Sequence, residues 1–485
     1  MNAYRRATVA IRRIPLAAWS CALIACLNAA CWSLITPPFQ VTDEPSHFAY
    51  AQYLAESGRL PSDGGNFGPA QEIAMRDLEQ QQVHYSPQNH TISTQAQQDR
   101  LERDLALPLS RIGPDAGVAA SEPPLYYALE TIPYYAGRGG TVLDRLALMR
   151  LFSTLFAGVV AFFVVLFLRE ALPRAPWAWT VGGLGVAFSP LLGLMSGAVN
   201  PDALLYAVSA SLFYCLARGF RRGLTPKLAI AIGLVIATGL MTKLNFVGLI
   251  PGTALGVVLL TVRAGRQSRR TAYRSLALTL GVAGGLYVSM STLVGQFAFN
   301  QLPSQVSSAV GDKSILGESS YIWQLYFPRM PGMHDYFVGI DTTRDFWIQG
   351  YVGLYGWLDT VFPTWVYSFA LLPLAIVSLL LGRALLMGRA CVRRRLAELI
   401  VYGAIVAGLM LLVGAADYSG FPKVIGEYAQ TRYLLPTLAL FGAGLALAAR
   451  GAGQRWGPVA GASLVVLLIA HDFFSQLLEI SRFYG

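Results

Sequence analysis

The sequence predicts an all-α polytopic membrane protein with about 11 transmembrane helices. Of its 485 residues, 54% are hydrophobic and 13% are charged, whereas soluble proteins carry about 25% charged residues. The apolar residues are gathered in runs of about 20, which is long enough to cross a hydrocarbon core. A water-soluble fold of this size could not cover that much apolar surface, so soluble enzymes and binding modules are excluded.

The basic residues indicate the topology. Of the 37 Lys and Arg residues, 22 fall in the N-terminal segment and in short loops between apolar runs, as in cytoplasmic loops. This pattern places the N-terminus inside and the C-terminus outside. It also explains the net charge of +10 without nucleic acid, since no basic stripe with interleaved aromatic residues occurs on a polar segment. The cysteines predict no disulfide framework.

Two external segments are much longer than ordinary connections. They are predicted at 37–150, after the first span, and at 299–360. No repeat or separate soluble domain is visible, so 1–485 is predicted to be one integral-membrane domain. The predicted spans are 15–36, 151–168, 177–195, 202–217, 227–242, 246–262, 275–298, 361–382, 397–415, 430–449 and 457–476.

The first external segment begins with a predicted helix over Glu44–Ser57. Thr42 or Asp43 is its N-cap, a proline stands in its first turn and Gly58 follows its end. Its aromatic side chains suit a position at the membrane interface. Further along, a helix is predicted over Ala74–Val83 and a loop over 81–98.

Residues 122–136 are apolar enough to form a short span, but they are rich in Tyr and Pro. If they crossed the membrane, the basic clusters at 218–222 and 263–270 would face outward. The rule that basic residues stay on the cytoplasmic side, called the charge rule below, therefore predicts a juxtamembrane segment on the outer surface. Tyr and Trp side chains at this level are interpreted as an interfacial belt; they are Tyr126, Tyr127, Tyr355 and Trp357.

Asp43 and Glu44 are the candidate catalytic residues. A carboxylate near a low-dielectric boundary can have a raised pKa and act as a general base at neutral pH. The alternative interpretation is that Asp43 caps the helix and Glu44 favours its positive end. Both residues stay open as the base, with Asp43 favoured.

Further polar residues are predicted at the same outer level. Lys243 ends an apolar run, where an ionisable group is costly and therefore often functional; snorkelling to the interface is the alternative. Arg432 offers a guanidinium fork suited to phosphate, or an interfacial anchor. Asp202 is most simply explained as the first residue of a helix, with Asn200 as its cap. His47 is most simply explained as a lone histidine with a structural role. The remaining members are Glu122, Arg150, Asn245, Glu427 and Gln430.

The chain resembles the GT-C superfamily of polytopic glycosyltransferases, and within it a bacterial branch of predicted membrane proteins with a D-E-P-x-H-F motif. The most specific matching pieces are Asp43–Phe48, which reads D-E-P-S-H-F, and Gln430–Pro436, which reads Q-T-R-Y-L-L-P. The other pieces are Glu122–Tyr127, Asn200–Asp202, Thr242–Lys243 and Gly356–Asp359.

The resemblance implies a GT-C-like fold with juxtamembrane helices in a large first external loop. It implies transfer of a sugar from a polyprenyl-phosphate carrier to a lipid-linked glycan or cell-envelope polysaccharide. The site would face the outside of a bacterial inner membrane, with Asp43 or Glu44 as base. Some GT-C enzymes need a divalent metal and others do not; no metal-ligand motif is present here. Basic residues near the outer ends of the spans would hold the lipid phosphate, which maps to Lys243, Arg432 and Arg150. The further candidate substrate-binding residues are His47, Glu122, Asn200, Asp202, Gln430 and Tyr433.

Two other functions compete with this reading. A transporter or flippase for a lipid-linked saccharide would want inverted repeats and acidic groups near mid-span. A polysaccharide polymerase or ligase would share the large external loops and the basic residues. Both retain the membrane lipids and the saccharide as partners.

Overall fold

A computed structural model describes residues 14–61, 67–84, 86, 94–106, 117–266, 268–294, 315–420 and 430–485. Its secondary structure is helical apart from two antiparallel strands of two residues each, Leu354–Tyr355 and Thr360–Val361. The predicted all-α polytopic architecture is therefore confirmed. The basic N-terminal segment and Glu427 lie outside the described residues.

Nine helical segments of the described chain are long and apolar enough to cross a membrane. A bent pair, Pro176–Ala187 and Pro190–Ser196, makes up to ten, with an angle of 57° between its halves. The remaining predicted span, 227–242, corresponds to the helix Pro226–Thr242. This helix has 17 residues and is apolar, but it is shorter than the nine and is not counted with them. The nine are Leu16–Ile35, Val142–Ala171, Asp202–Arg222, Leu244–Gly265, Arg269–Leu293, Thr364–Met387, Leu396–Ser419, Thr431–Gly451 and Gly457–Tyr484.

Several helices run further than their apolar stretches predict. Val142–Ala171 has 30 residues and Gly457–Tyr484 has 28. The polar residues in these extensions are paired in the fold: Arg145 lies 3.5 Å from Glu56, and Arg482 bonds Asp359. The start of Val142–Ala171 is marked by a capping box between Thr141 and Asp144, which the length of an apolar run does not register.

The first external segment has the predicted helix Glu44–Ser57. It packs against Leu125–Ala136, and ten of its side chains are buried in protein, including the aromatic Phe48 and Tyr50. The predicted helix Ala74–Val83 is two helices, Pro69–Asp77 and Gln80–Val83. The predicted loop ends early, since Gln95–Leu105 is helical with a capping box at its start.

The segment 122–136 forms a helix of 12 residues, Leu125–Ala136, which is too short to span a bilayer. The interpretation of its tyrosines as an interfacial belt is wrong, because Tyr126 and Tyr127 are completely buried. The same correction applies to Tyr355, which is buried and bonds Ser475. Trp357, half-buried, donates to the Phe39 carbonyl.

The second external segment is described from residue 315 onward. It contains the helix Ile315–Tyr326, a π-helix over Thr343–Ile348 and a short helix, Gln349–Gly353. His471 of the C-terminal helix bonds the Val352 carbonyl at 2.6 Å and so fastens this segment to the bundle. Short helices elsewhere are Gly117–Ser121, Leu244–Leu249, Arg389–Arg394 and Thr431–Thr437.

The packing brings the outer ends of several helices together. The first span lies along Val142–Ala171, which packs against Asp202–Arg222. Asp202–Arg222 in turn contacts Pro226–Thr242 and Thr431–Thr437. One end of this group carries the polar residues that the charge rule placed at one membrane level.

Candidate active site

Asp43 sits in the turn that joins the first span to the Glu44–Ser57 helix. Its backbone is left-handed, with φ +65°, a conformation that Asp tolerates better than most residues. The side chain makes no capping hydrogen bond; it instead accepts a hydrogen bond from Arg432 Nη2 at 2.6 Å. The Asp43 carboxylate therefore does not serve as a helix cap. Its side chain is 31% exposed.

Arg432 stands in the 3-10 helix Thr431–Thr437 and is 5% exposed. Its backbone carbonyl accepts the Tyr206 hydroxyl at 2.9 Å, which fixes the turn. Nη2 also donates to Tyr433 Oη at 3.1 Å. Its Nε and Nη1 atoms are buried and have no hydrogen-bond partner among the residues described. A buried guanidinium with two uncommitted donors is poised to bind an anion or a hydroxyl group.

Lys243 lies between the helix Pro226–Thr242 and the 3-10 helix Leu244–Leu249, in extended backbone. Its Nζ lies 2.9 Å from Asp202 Oδ1 and 4.0 Å from Glu122 Oε1. The side chain is 5% exposed, so it does not snorkel to the surface. Asp202 thus does more than start a helix, because it holds a buried cation.

Burial and charge act against each other in this cluster. Burial raises the pKa of the Asp43 carboxyl, but the neighbouring positive charge, above all that of Arg432, brings that pKa below its ordinary value. Burial lowers the pKa of Lys243, yet Asp202 and Glu122 outweigh it and leave the pKa raised. Asp43 is therefore an anion and Lys243 a cation at neutral pH.

Glu122 behaves differently from Asp43. Burial and the negative charge of Asp202 raise the pKa of its carboxyl, although Lys243 opposes this effect. Its Oε2 atom is buried without a hydrogen-bond partner in the described part of the chain. Glu122 thus takes up a proton more readily than Asp43 does.

The Tyr433 ring lies close to both cations. Its centroid is 5.0 Å from the Arg432 guanidinium carbon and 5.6 Å from Lys243 Nζ. Cations over an aromatic face are stabilised by its quadrupole. The ring therefore lets two positive groups approach each other in a buried site.

Glu44 has a structural environment, in contrast to Asp43. It is completely buried and accepts hydrogen bonds from Arg150 Nε at 2.7 Å and Nη2 at 2.5 Å. The amides of Phe39 and Val199 bond it as well. Arg150 donates its other hydrogen bonds to the carbonyls of Ser33, Thr36 and Pro37, where the first span ends. The structure gives Glu44 and Arg150 a shared role in holding the loop, and neither faces open space.

His47 and Asn200 occupy the edge of the cluster. His47 Nδ1 lies 2.8 Å from Tyr127 Oη, and burial lowers the pKa of the imidazole to about 3, so the ring is neutral at pH 7. Asn200 Oδ1 accepts from the Asp202 amide at 3.0 Å, while its Nδ2 donates to the Thr42 carbonyl at 3.4 Å. Asn200 thus joins the helix start to the Asp43 turn.

A cavity of about 180 Å³ adjoins Arg432. Gln430, another predicted binding residue, contributes to its wall together with Thr42 and Asp345. Asp345 escaped the sequence reasoning because it stands in a polar stretch with no distinctive pattern. A second missed residue is Glu130, a fully buried carboxyl bonded by Ser153; its signal was a lone acid inside an apolar, Tyr-rich helix.

The structure thus brings together Asp43, Lys243, Arg432, Glu122, Asp202 and Tyr433, flanked by His47, Asn200 and Gln430. Glu44 and Arg150 form the separate structural pair. Among the described residues, no three His, Cys, Asp or Glu side chains are grouped so that they could hold a metal ion.

The family comparison covers most of the chain. The model of a family described as predicted membrane protein (DUF2142) matches residues 26–441, a range that includes every candidate residue above. No curated protein and no solved structure matches the chain. The protein is a multi-pass membrane protein and belongs to the DUF2142 family.

Proposed function

We propose that this protein is a GT-C-type glycosyltransferase that moves a sugar from a polyprenyl-phosphate carrier to an extracytoplasmic acceptor. One observation carries the proposal. A single buried side chain, Arg432, binds the partly exposed carboxylate of Asp43 at 2.6 Å and keeps Nε and Nη1 uncommitted. A base and a phosphate-binding group are thereby held within one guanidinium width of each other.

Asp43 is the base in this proposal. The acceptor hydroxyl gives its proton to the Asp43 carboxylate as its oxygen attacks the anomeric carbon. The bond between that carbon and the phosphate oxygen breaks, and polyprenyl phosphate departs with the bonding electrons. The raised pKa expected for this carboxylate is not found: Arg432 brings the pKa of Asp43 below its ordinary value, which keeps it ionised but makes it a weaker base. Its candidacy rests on its position beside Arg432 and on the part of its side chain that is open. Glu44 lacks such access.

The cations stabilise the leaving group. Arg432 would bind a phosphate oxygen through one of its two uncommitted atoms, Nε or Nη1, which are preorganised by the bond of Nη2 to Asp43. Lys243 adds a second positive charge, with Nζ 5.6 Å from the centroid of the Tyr433 ring. Asp202 and Glu122 partly neutralise Lys243, so the site as a whole favours a carrier with few negative charges.

The resemblance supplies the wider setting of the proposal. The enzyme would lie in a bacterial inner membrane with this cluster facing the periplasm or exterior. Its acceptor would be a lipid-linked glycan or a cell-envelope polysaccharide. The proposal commits to no metal: activity with and without EDTA decides whether a divalent ion bound by substrate phosphate takes part.

Transfer is tested with purified protein in detergent or liposomes. We expect the wild type to release polyprenyl phosphate from a panel of polyprenyl-phosphate monosaccharides when a membrane-glycan acceptor is present. Asp43→Asn should reduce release about 10²–10⁴-fold. Asp99→Asn is the matched control, since Asp99 is an exposed acid of the same external segment.

Three outcomes would contradict the proposal. If a folded Asp43→Asn variant released polyprenyl phosphate at the wild-type rate, Asp43 would not be the base. Movement of the carrier across a liposome membrane without cleavage would instead favour the transporter. Release of an intact oligosaccharide chain from a diphosphate carrier, with none from a monosaccharide carrier, would favour a polymerase or ligase.

A further inference from the structure

The cavity beside Arg432 has an amphipathic lining. Its apolar wall includes Leu194, Met195 and Phe346, and its polar lining includes Thr42, Asp345 and Arg432. We call it the Arg432 cavity. Its volume of about 180 Å³ is smaller than the roughly 300–1,000 Å³ of pockets that hold whole drug-sized ligands. It therefore suits one compact part of a substrate.

A π-helix brings Asp345 to this cavity. Thr343–Ile348 has the wide π turn, a geometry often found at functional sites. The Phe346 carbonyl accepts the Thr431 hydroxyl at 3.0 Å, which ties the π-helix to the residue preceding Arg432. Gly350 permits this close approach, because a Cβ there would overlap Thr431 Oγ1. The second external segment is thus built against the Arg432 turn.

The Asp345 carboxylate has capacity for a ligand. Oδ1 accepts from Gln349 Nε2 at 2.9 Å and Oδ2 accepts from the Asp341 amide at 3.1 Å. Each carboxylate oxygen can accept about one further hydrogen bond. Arg344 lies 3.9 Å away through Nε on an exposed side chain, too loose a contact to occupy the carboxylate.

The opposite charges of the lining select the chemistry of the occupant. A phosphate group would be repelled by Asp345, and an ammonium group would be repelled by Arg432. A hydrocarbon chain would remove both charged groups from water without bonding them, at a high free-energy cost. A neutral ring with hydroxyl groups satisfies all walls: hydroxyls donate to Asp345, hydroxyl oxygens accept from Arg432 Nε or Nη1, and C–H faces contact Phe346 and Leu194.

We propose that the Arg432 cavity is a sugar subsite and that Asp345 is its hydroxyl-binding residue. The inference rests on the proposed function for the ligand's role as a reactant, because Thr42 and Arg432 join the cavity to Asp43. The phosphate of a donor bound at the mouth by Arg432 would leave its sugar ring in the cavity. A sugar ring of the acceptor has the same chemistry, and kinetics distinguish the two sources.

The kinetic test uses three variants. Asp345→Asn keeps an acceptor for the Asp341 amide but weakens hydroxyl binding, and Leu194→Phe fills the cavity from its apolar wall. Asp335→Asn is the control: it is an acid of the same segment, with a side chain 41% exposed, and it does not line the cavity. Thermal melting verifies that each variant is folded.

We expect Asp345→Asn and Leu194→Phe to raise the KM for one of the two substrates, donor or acceptor, by about tenfold or more, and to change kcat much less. A rise in KM for the donor assigns its ring to the cavity, and a rise for the acceptor assigns the acceptor ring. Asp335→Asn should match the wild type. Unchanged KM for both substrates in both cavity variants would overturn the subsite.

Equilibrium binding separates this inference from the proposed function. If wild-type protein released no polyprenyl phosphate, the glycosyltransferase proposal would fail on its own. The subsite is then decided by titration with a panel of methyl glycosides, followed by ligand-observed NMR. Binding that Asp345→Asn and Leu194→Phe weaken about tenfold or more, and that Asp335→Asn leaves unchanged, supports it. Equal binding to all four proteins, or binding to none, overturns it.

Discussion

Arg432 Nη2 lies 2.6 Å from Asp43 Oδ2 and thereby joins residues 389 positions apart. This bond connects the turn after the first span to the start of the penultimate one. Glu44, the next residue, forms its own pair with Arg150 at 2.5 Å. Two adjacent carboxylates thus hold two different arginines, one at an open site and one in the interior.

The two carboxylates should respond differently to neutralisation. Glu44→Gln leaves the Arg150 charge buried without its counter-ion, which costs about 3–5 kcal/mol of folding stability. Asp43→Asn also takes the counter-ion from the buried Arg432, but it should cost less, because the Asp43 side chain is 31% exposed, one Asn oxygen still accepts from Nη2, and Asn tolerates the left-handed backbone. We expect a large drop in melting temperature for Glu44→Gln and loss of transfer without such a drop for Asp43→Asn. Equal melting temperatures for the two variants would contradict this division.

Lys243 and Asp202 should be energetically coupled. Either Lys243→Met or Asp202→Asn leaves a buried charge without its nearest partner, and each should cost about 3–5 kcal/mol. In the double variant no such charge remains at this pair, so the loss should fall short of the sum by at least about 1 kcal/mol. Denaturant unfolding of the four proteins measures this coupling. Additive losses would mean that the 2.9 Å contact contributes nothing specific.

The sequence could predict which residues share one side of the membrane. Hydropathy locates the spans and the charge rule sets their direction, and together these put Asp43, Lys243 and Arg432 at one level. The helix Glu44–Ser57 was also predictable, since a proline near its start and Gly58 after its end mark its limits. All of these features depend on local composition.

The ion pairs could not be predicted in the same way. Whether Asp43 or Glu44 meets Arg432 depends on the left-handed φ of +65° at Asp43, which turns one side chain away from the helix start. The π-helix depends on a hydrogen bond from Thr431, 85 positions away from Phe346. Neither backbone choice leaves a pattern in hydropathy, because each is set by contacts formed in the assembled bundle.

Glu130 should make stability depend on pH. Burial raises the pKa of its carboxyl to about 8 in the fold, whereas an unfolded Glu has a pKa of about 4.3. Between these values the folded state binds one more proton than the unfolded state, so stability falls as pH rises from about 4.3 to about 8. Above that range the loss is complete.

Glu130→Gln removes this titration and keeps an oxygen for the Ser153 hydroxyl. We expect the melting temperature of the variant to change less than that of the wild type between about pH 5 and about pH 8. At the alkaline end the variant should be the more stable protein. Glu102→Gln, in the exposed helix Gln95–Leu105, is the control. A variant whose melting temperature falls with pH as steeply as the wild type's would exclude Glu130 as the cause.

The C-terminal helix should hold both external segments in place. Arg482 Nη2 donates to the Val83 and Ser86 carbonyls at 2.7 and 3.2 Å, and to Asp359 Oδ2 at 3.1 Å. The first two belong to one external segment and the third to the other. The helix lies beyond the 26–441 range of the family match, so its role here rests on geometry alone.

Arg482→Met should release the two segments together. It removes the donor of two buried carbonyls and takes a cation from Asp359, whose side chain is 7% exposed; the expected cost is about 3–5 kcal/mol. Amide hydrogen exchange should quicken around Gln80–Val83 and around the Leu354–Tyr355 and Thr360–Val361 strands, and stay unchanged in the spans. Arg455→Met, at an exposed position, should leave every segment as in the wild type. Faster exchange throughout the bundle would show a general loss of stability instead, and faster exchange in one segment alone would show that Arg482 holds only that segment.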